Sequence, residues 1–262
     1  MNILVLVKAV PLVGEERLDD RMRTQRGHLE LNGADEYLLE RALRLTEATE
    51  GGAAGGEVSV LSMGPAPAAD ALRKALAMGA TRAYHVVDDA LAGSDIRATI
   101  TVLEAAVRRV AFDLLLCGAD TSDGQAGIVG AALASRLGMP YLSYASEIDL
   151  PGDGHVRVRR LSPSGYDVLE ATGPAVVMGT QLLGEPRYPS LRGIMAARSK
   201  ETVTWSLADL GLDPDAVGEV AATTRVQSAV PPAQRASAVI VQQPPEEAVA
   251  RVVSLLAERG LL

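Results

Sequence analysis

The sequence predicts an α/β protein, a doubly wound and mostly parallel sheet with an added antiparallel hairpin and a C-terminal arm. Three observations lead there. Apolar runs such as 3–7 and 114–117 are continuous rather than alternating, as strands buried on both faces are. Segments of helical period alternate with them through the first 140 residues, and that alternation implies right-handed crossovers between parallel strands. After residue 140 the texture changes to short alternating runs, and then to a stretch rich in Pro, Ser, Gly and Gln.

In chain order, Ile3-Leu4-Val5-Leu6-Val7 is the first strand. Asn32, with Asp35 three positions on, reads as the N-cap of a helix to Glu47, and its Leu38, Leu39, Ala42 and Leu45 recur at helical spacing. A Gly/Ala stretch over 51–56 precedes a strand at 58–61. Residues 65–78 read as a second helix, with Leu72, Ala75 and Leu76 on one face and Gly79 as its stop. A third strand spans 83–87. Ser94-Asp95 opens a third helix whose stripe is Ile96, Ile100, Leu103 and Val107. Strand 113–117 leads through a Gly/Asp/Ser-rich loop into a fourth helix over 125–137, closed by Gly138 and Pro140. Val156-Arg157-Val158-Arg159 and Tyr166-Asp167-Val168-Leu169 form the added hairpin, and 174–180 is another buried strand. From Glu185 the core signal fades until Val239-Ile240-Val241 and a last helix over 246–258. The expected division is an α/β nucleotide-binding domain at 1–184 and a recognition loop and arm at 185–262. An arm without its own core packs on something else.

Composition narrows the function. The 262 residues are 48% hydrophobic and 22% charged, with a formal net charge of −8. That balance suits a water-soluble globular chain and argues against nucleic acid or an anionic membrane surface, which call for a basic face. The apolar runs are too short to span a bilayer. Met1-Asn2 passes into the first strand with no cationic stretch or cleavage site, and the single cysteine, Cys117, has no intrachain partner. A cytoplasmic chain without membrane insertion is expected. Aromatic residues are 3%, with one Trp and one Phe. So few rings to stack on a flavin point to a large cofactor being shared with another chain.

Ligands of an open parallel sheet lie outside the carboxyl ends of the strands, near the point where strand order reverses. Lys8, Met63-Gly64 and Gly118 stand at such ends. The strongest local signal is the run from Gly118 through Thr121, Asp123, Gly124, Gln125, Ala126, Gly127 and Ile128 to Gly130. Small residues let backbone approach a ligand, and free amides at a helix start receive phosphate. The run is neither a Walker loop nor the dinucleotide fingerprint. Two readings of Gly127 and Gly130 stand here: a phosphate loop, or close packing of helix on sheet. Cys117 reads as a small core residue. His28, His85 and His155 lack metal-ligand spacing, and Ser162-Pro163-Ser164-Gly165 lacks a nucleophile's setting. The acidic pairs Asp19-Asp20 and Asp88-Asp89 read as solvated loop. No dyad or triad is present, which favours binding or electron carriage over bond-making chemistry.

Several segments together resemble the electron-transfer flavoprotein β-subunit family. They are residues 2–11, Leu31-Asn32-Gly33-Ala34-Asp35-Glu36-Tyr37, the helix 71–80, the loop 121–130, the stretch from Glu185-Pro186-Arg187-Tyr188 through Leu191 to Ala197, and Pro231-Pro232 with the closing helix. The resemblance spans nearly the whole chain and implies an electron carrier rather than a self-sufficient catalyst. Its members pair with an α subunit that holds most of an FAD, while the β subunit buries an AMP in an adenine-nucleotide-binding fold. The flavin collects electrons from acyl-CoA and related dehydrogenases and delivers them to a membrane quinone oxidoreductase, as in fatty acid oxidation. By this resemblance Leu6, Val7, Lys8, Asn32, Met63, Gly64, Gly118, Thr121, Asp123, Gly124, Gln125, Ala126, Gly127 and Ile128 surround the adenylate. Tyr188, Leu191, Ile194 and Met195 form the partner-recognition loop, with Leu191 as the anchor on a mobile loop.

This chain departs from the family at several points. Ala126 and Ile128 stand where many members carry Thr and Gln, so either backbone amides and Gln125 carry more of the binding or the nucleotide is held weakly. Leu161-Ser162-Pro163-Ser164-Gly165 replaces an acidic stretch, and Ala196-Ala197-Arg198-Ser199-Lys200 replaces a lysine run, leaving less charge for steering partners. Two alternatives accompany the shuttle reading. One is a stand-alone adenine-nucleotide-binding or sensing module. The other is a subunit of an electron-bifurcating complex, with a second FAD in place of AMP.

Overall fold

The computed structural model describes residues 1–49, 56–230 and 242–262. The chain divides into two compact units, 1–227 and 228–262. The expected strand Val239-Ile240-Val241, Pro231-Pro232 and residues 51–55 of the Gly/Ala stretch lie outside the described residues.

The first unit is built on β1 (Ile3–Leu6), β4 (Val58–Met63), β5 (Arg82–Val86), β6 (Leu114–Gly118) and β10 (Ala175–Gly179). They belong to a nine-stranded sheet of order β11-β5-β4-β1-β6-β10-β7-β8-β9, in which β7 is Tyr141–Gly152, β8 His155–Ser162, β9 Gly165–Thr172 and β11 Thr202–Trp205. From β11 to β7 every neighbouring pair is parallel, while β8 and β9 add antiparallel. A separate antiparallel pair, β2 (Ala9–Pro11) and β3 (Leu29–Leu31), lies at the exit of β1.

The sheet is wound on both faces because its central strands β1, β6 and β10 are apolar on both sides. Ile3, Val5 and Val7 of the first run join a core with α1 (Gly33–Thr49) and α2 (Ala69–Met78), contributing Leu38, Leu39, Leu72 and Leu76. Leu4 and Leu6 point the other way, to a core with α3 (Ile96–Val107) and α4 (Val129–Leu137) that includes Leu103 and Leu133. Asp95 caps α3 through a bond from the Ala98 amide, 2.9 Å. Gly79 and Gly138 close α2 and α4 at φ +145° and +68°, a region where only glycine is unstrained.

Four expectations are corrected. Ile96 is exposed, so the α3 stripe is Ile100, Leu103 and Val107. The fourth helix starts at Val129 rather than 125, because Gln125 and Gly127 adopt φ +43° and +60° and cannot continue a right-handed helix. β7 was not expected. Its polar and apolar residues mix irregularly, with Tyr144 at φ +56° and register shifts against both neighbours. Residues past 185 also enter the core. After α5 (Leu191–Ala197), β11 completes the sheet edge beside β5, Trp205 stacks on Tyr84 with centroids 4.9 Å apart, and α6 (Leu207–Leu210) buries Leu207 and Leu210. The short α7 (Gly218–Ala221) follows.

The second unit contains α8 (Pro245–Glu258), which starts with Pro in its first turn and carries Glu246 and Glu247 there, both favoured at a helix N-terminus.

Candidate functional site

In this sheet the strands following β1 run outward in one direction to β4 and β5, and the chain then crosses to β6 on the other side. The reversal places the carboxyl ends of β1 and β6 side by side, with β4 next to β1. Of the nucleotide-site residues expected from the sequence, all but Asn32 stand at these ends: Leu6 closes β1 with Val7 and Lys8 after it, Met63 closes β4 with Gly64 after it, Gly118 ends β6, and Thr121 to Ile128 lie beyond it, while Asn32 stands between β3 and α1.

The loop 118–128 is tied down from beneath. The Lys8 ammonium donates to Asp123 Oδ1 at 2.7 Å and to Thr121 Oγ1 at 3.4 Å, and the Arg26 guanidinium donates to Asp123 Oδ2 at 2.8 Å. The Asp123 side chain is 2% exposed. Burial works against its charged form, but the bond from Lys8 and the charges of Lys8 and Arg26 outweigh it and hold the carboxyl below its usual range. Arg26 also donates to the Ala9 carbonyl at 2.9 Å, which fixes it against β2. Nothing in the sequence singled out Arg26, which lies in a polar stretch without period, 97 residues from Asp123.

Asn32 stands where a helix cap was expected, yet its side chain leaves the helix. Its amide donates to the Asp120 carbonyl at 3.1 Å and its oxygen accepts from the Ser122 amide at 3.3 Å. Asp35, one turn on, accepts the Lys8 backbone amide at 2.8 Å. It lies under Gly118, where a Cβ would stand 2.5 Å from Asp35 Oδ1. Desolvation pushes the Asp35 carboxyl up to about 7 against the stabilising Lys8 amide. Burial, with Asp35 nearby, raises the Cys117 thiol to about 12, so at neutral pH it is a protonated core side chain.

Above this base the loop presents backbone. The amides of Ala126, Gly127 and Ile128 find no acceptor among the described residues. Gly127 at φ +60° followed by Ile128 at φ −117° and ψ −15° is the alternation of hand that turns successive amides toward one point. The side chains of Ala126 and Ile128 offer no hydrogen bonds. Gly130 has a packing role: a Cβ there would come 2.5 Å from Cys117 Sγ. The two readings left open by the sequence therefore divide between two glycines, Gly127 shaping the loop and Gly130 seating the helix.

The other predicted residues gather elsewhere. Because α2 runs back against the strands, its C-terminal end lies at the opposite edge of the sheet, and α5 packs there. Tyr188, Leu191, Ile194 and Met195 are 95%, 84%, 45% and 62% exposed. Leu191 begins a short helix capped by Ser190, whose hydroxyl accepts the Gly193 amide at 3.0 Å. The segment is stapled at both ends. Arg187 pairs with the buried Glu40 at 2.7 Å and with Glu47 at 2.6 Å, and Lys200 donates to the Leu76 and Ala80 carbonyls at 2.8 and 2.6 Å. Gly193 sits directly on the Ala77 carbonyl with no room for a Cβ. The expected loop contains a helical turn, α5, with Leu191 and Met195 on its exposed side.

The fold and the loop define a class, an α/β chain whose open sheet places a loop with unpaired backbone amides at its switch point. A model of the electron transfer flavoprotein domain matches residues 22–210. The chain is 36% identical to an electron transfer flavoprotein subunit beta of Thermoanaerobacterium thermosaccharolyticum, over all of both chains. It is 36% identical to that of Mycobacterium bovis over 88% of each, and 36% identical to the caffeyl-CoA reductase-Etf complex subunit CarD of Acetobacterium woodii over all of both chains. The chain belongs to the electron transfer flavoprotein β-subunit family. Membership implies an α subunit as partner and association with flavin. Among the described residues no helix is long and apolar enough to cross a membrane.

Proposed function

We propose that this chain is the β subunit of a heterodimeric electron transfer flavoprotein, binding AMP at the carboxyl ends of β1, β4 and β6. In this reading it helps to hold an FAD that sits mostly on the α subunit and shuttles electrons from acyl-CoA-type dehydrogenases to a membrane quinone oxidoreductase. The observation that carries it is the trio of unpaired amides at Ala126, Gly127 and Ile128 above a loop anchored by Lys8 and Asp123. Unpaired amides converging at a switch point fit a phosphate group. The flavin, when bound, supplies the one- and two-electron chemistry. The chain's own residues bind, orient and dock. Gly118 lets the chain pass over Asp35 and Gly124 lets it pass over Thr121 and Lys8, Asn32 holds the loop's backbone, and the residues past 185 supply the recognition segment and, beyond the strand and helix that join the sheet's core, an arm for the α subunit. Leu191 is the docking anchor. Leu191→Ala should slow electron transfer from the dehydrogenase while flavin content and melting temperature stay unchanged; loss of flavin would overturn that role.

The test is chromatography of nucleotides released by denaturing the chain after co-expression with its α subunit. AMP with one FAD per heterodimer supports the shuttle, and absence of any adenine nucleotide refutes the site. The likeness to subunit CarD favours a second reading, a subunit of a bifurcating complex, for which two FAD and no AMP would be released.

A further inference from the structure

The excursion between β2 and β3 reaches the site through one side chain, Arg26. Arg26 spans two elements, bonded to the Ala9 carbonyl of β2 and to Asp123 Oδ2 of the loop. Asp123 turns inward rather than toward the open side where the unpaired amides lie, and each of its oxygens is taken by a different cation. A carboxylate this deeply buried is stable only while paired. Lys8 alone satisfies one oxygen. Without the second cation the carboxylate gains by swinging out to water, and the Gly124 turn, against which the Lys8 ammonium also rests, goes with it.

We propose that Arg26 is a positioning residue of the nucleotide site, closing the charge clamp on Asp123 that holds loop 118–128 with its amides set for a phosphate. This rests on the adenine-nucleotide reading. Arg26 does not itself touch the nucleotide; it acts through Asp123. The excursion 12–28 is thereby a strap over the base of the loop rather than a free insertion, and any motion that lifts it loosens nucleotide.

The experiment is calorimetric titration of the full chain, stripped of nucleotide, with AMP. Wild type is compared with Arg26→Lys, Arg26→Ala, Asp123→Asn and the Arg26→Ala, Asp123→Asn pair. Arg26→Ala should weaken AMP about ten-fold, and Arg26→Lys should recover most of that loss by restoring the charge. The double variant should bind no more weakly than Asp123→Asn alone, because the two residues act as one clamp. Binding by Arg26→Ala within two-fold of wild type, or losses that simply add in the double variant, overturns the proposal. If Arg26→Ala does not fold, Arg26→Gln takes its place in the same cycle. If wild type binds no adenine nucleotide while remaining folded, the nucleotide reading itself falls and the positioning role with it. Wild-type binding with an unaffected Arg26 variant removes only the latter.

Discussion

Replacing Asp35 by Asn isolates the cost of one buried charge. The carboxyl is fully enclosed, accepts the Lys8 amide at 2.8 Å and has its proton affinity pushed from 3.8 to about 7 by desolvation. A folded-state value above the unfolded one means that the native state binds the proton more tightly. The contribution is therefore fully present below pH 3.8 and is lost as pH rises to about 7. About three pH units at 1.36 kcal/mol each make the ionised carboxylate cost roughly 4 kcal/mol relative to the protonated one. Roughly 3 kcal/mol of that falls between about pH 5 and pH 8. Asparagine keeps an oxygen for the Lys8 amide and carries no charge. Urea unfolding of both proteins at these two pH values should show Asp35→Asn gaining on wild type by about that amount from the lower pH to the higher, since any loss from its new amide group is the same at both. Equal differences at both pH values, or a variant that falls further behind at the higher one, would refute the assignment of this proton to Asp35.

Two further predictions concern packing. Gly130→Ala should destabilise the chain by about 1–3 kcal/mol by forcing a methyl onto Cys117 Sγ; combining it with Cys117→Ala should recover part of the loss in a thermal melt, and strictly additive losses would show that the contact is not the cause. Lys200→Met removes the two hydrogen bonds that its ammonium donates to the Leu76 and Ala80 carbonyls and should cost about 1–3 kcal/mol, with faster proteolysis in 187–200 than in wild type. Unchanged melting and unchanged cleavage would show that the recognition turn is held by other contacts.

The parallel body was legible because its strands are apolar on both faces. The runs at 3–7, 113–117 and 174–180, each bounded by glycine or proline or a polar turn, admit little else. β7 was not legible, since its first residues pair with β10 and its later ones with β8, and register shifts against both break the alternation. β11 was missed because Thr202-Val203-Thr204-Trp205 is a four-residue edge strand whose β character comes from its neighbour β5. At the site, Lys8, Gly118 and the 121–128 loop followed from their place at strand ends. Asn32 looked like a cap, and only the fold reveals that its side chain crosses to Asp120 and Ser122. Asp35 had the same ambiguity. Arg26 carried no sequence signal at all, because its partner Asp123 lies in the loop beyond β6, which only the crossover brings near.

The edge strand β11 also sets an order of events in synthesis. Until residue 205 has been made, β5 has a row of backbone groups without partners, and Tyr84 has no ring to stack on. A nascent or truncated chain ending near 184 thus exposes a sticky parallel edge of the kind that recruits other strands. The recognition turn lies just upstream of that closing strand, so the segment that meets other proteins becomes available in the same stretch of synthesis that seals the sheet against unwanted pairing.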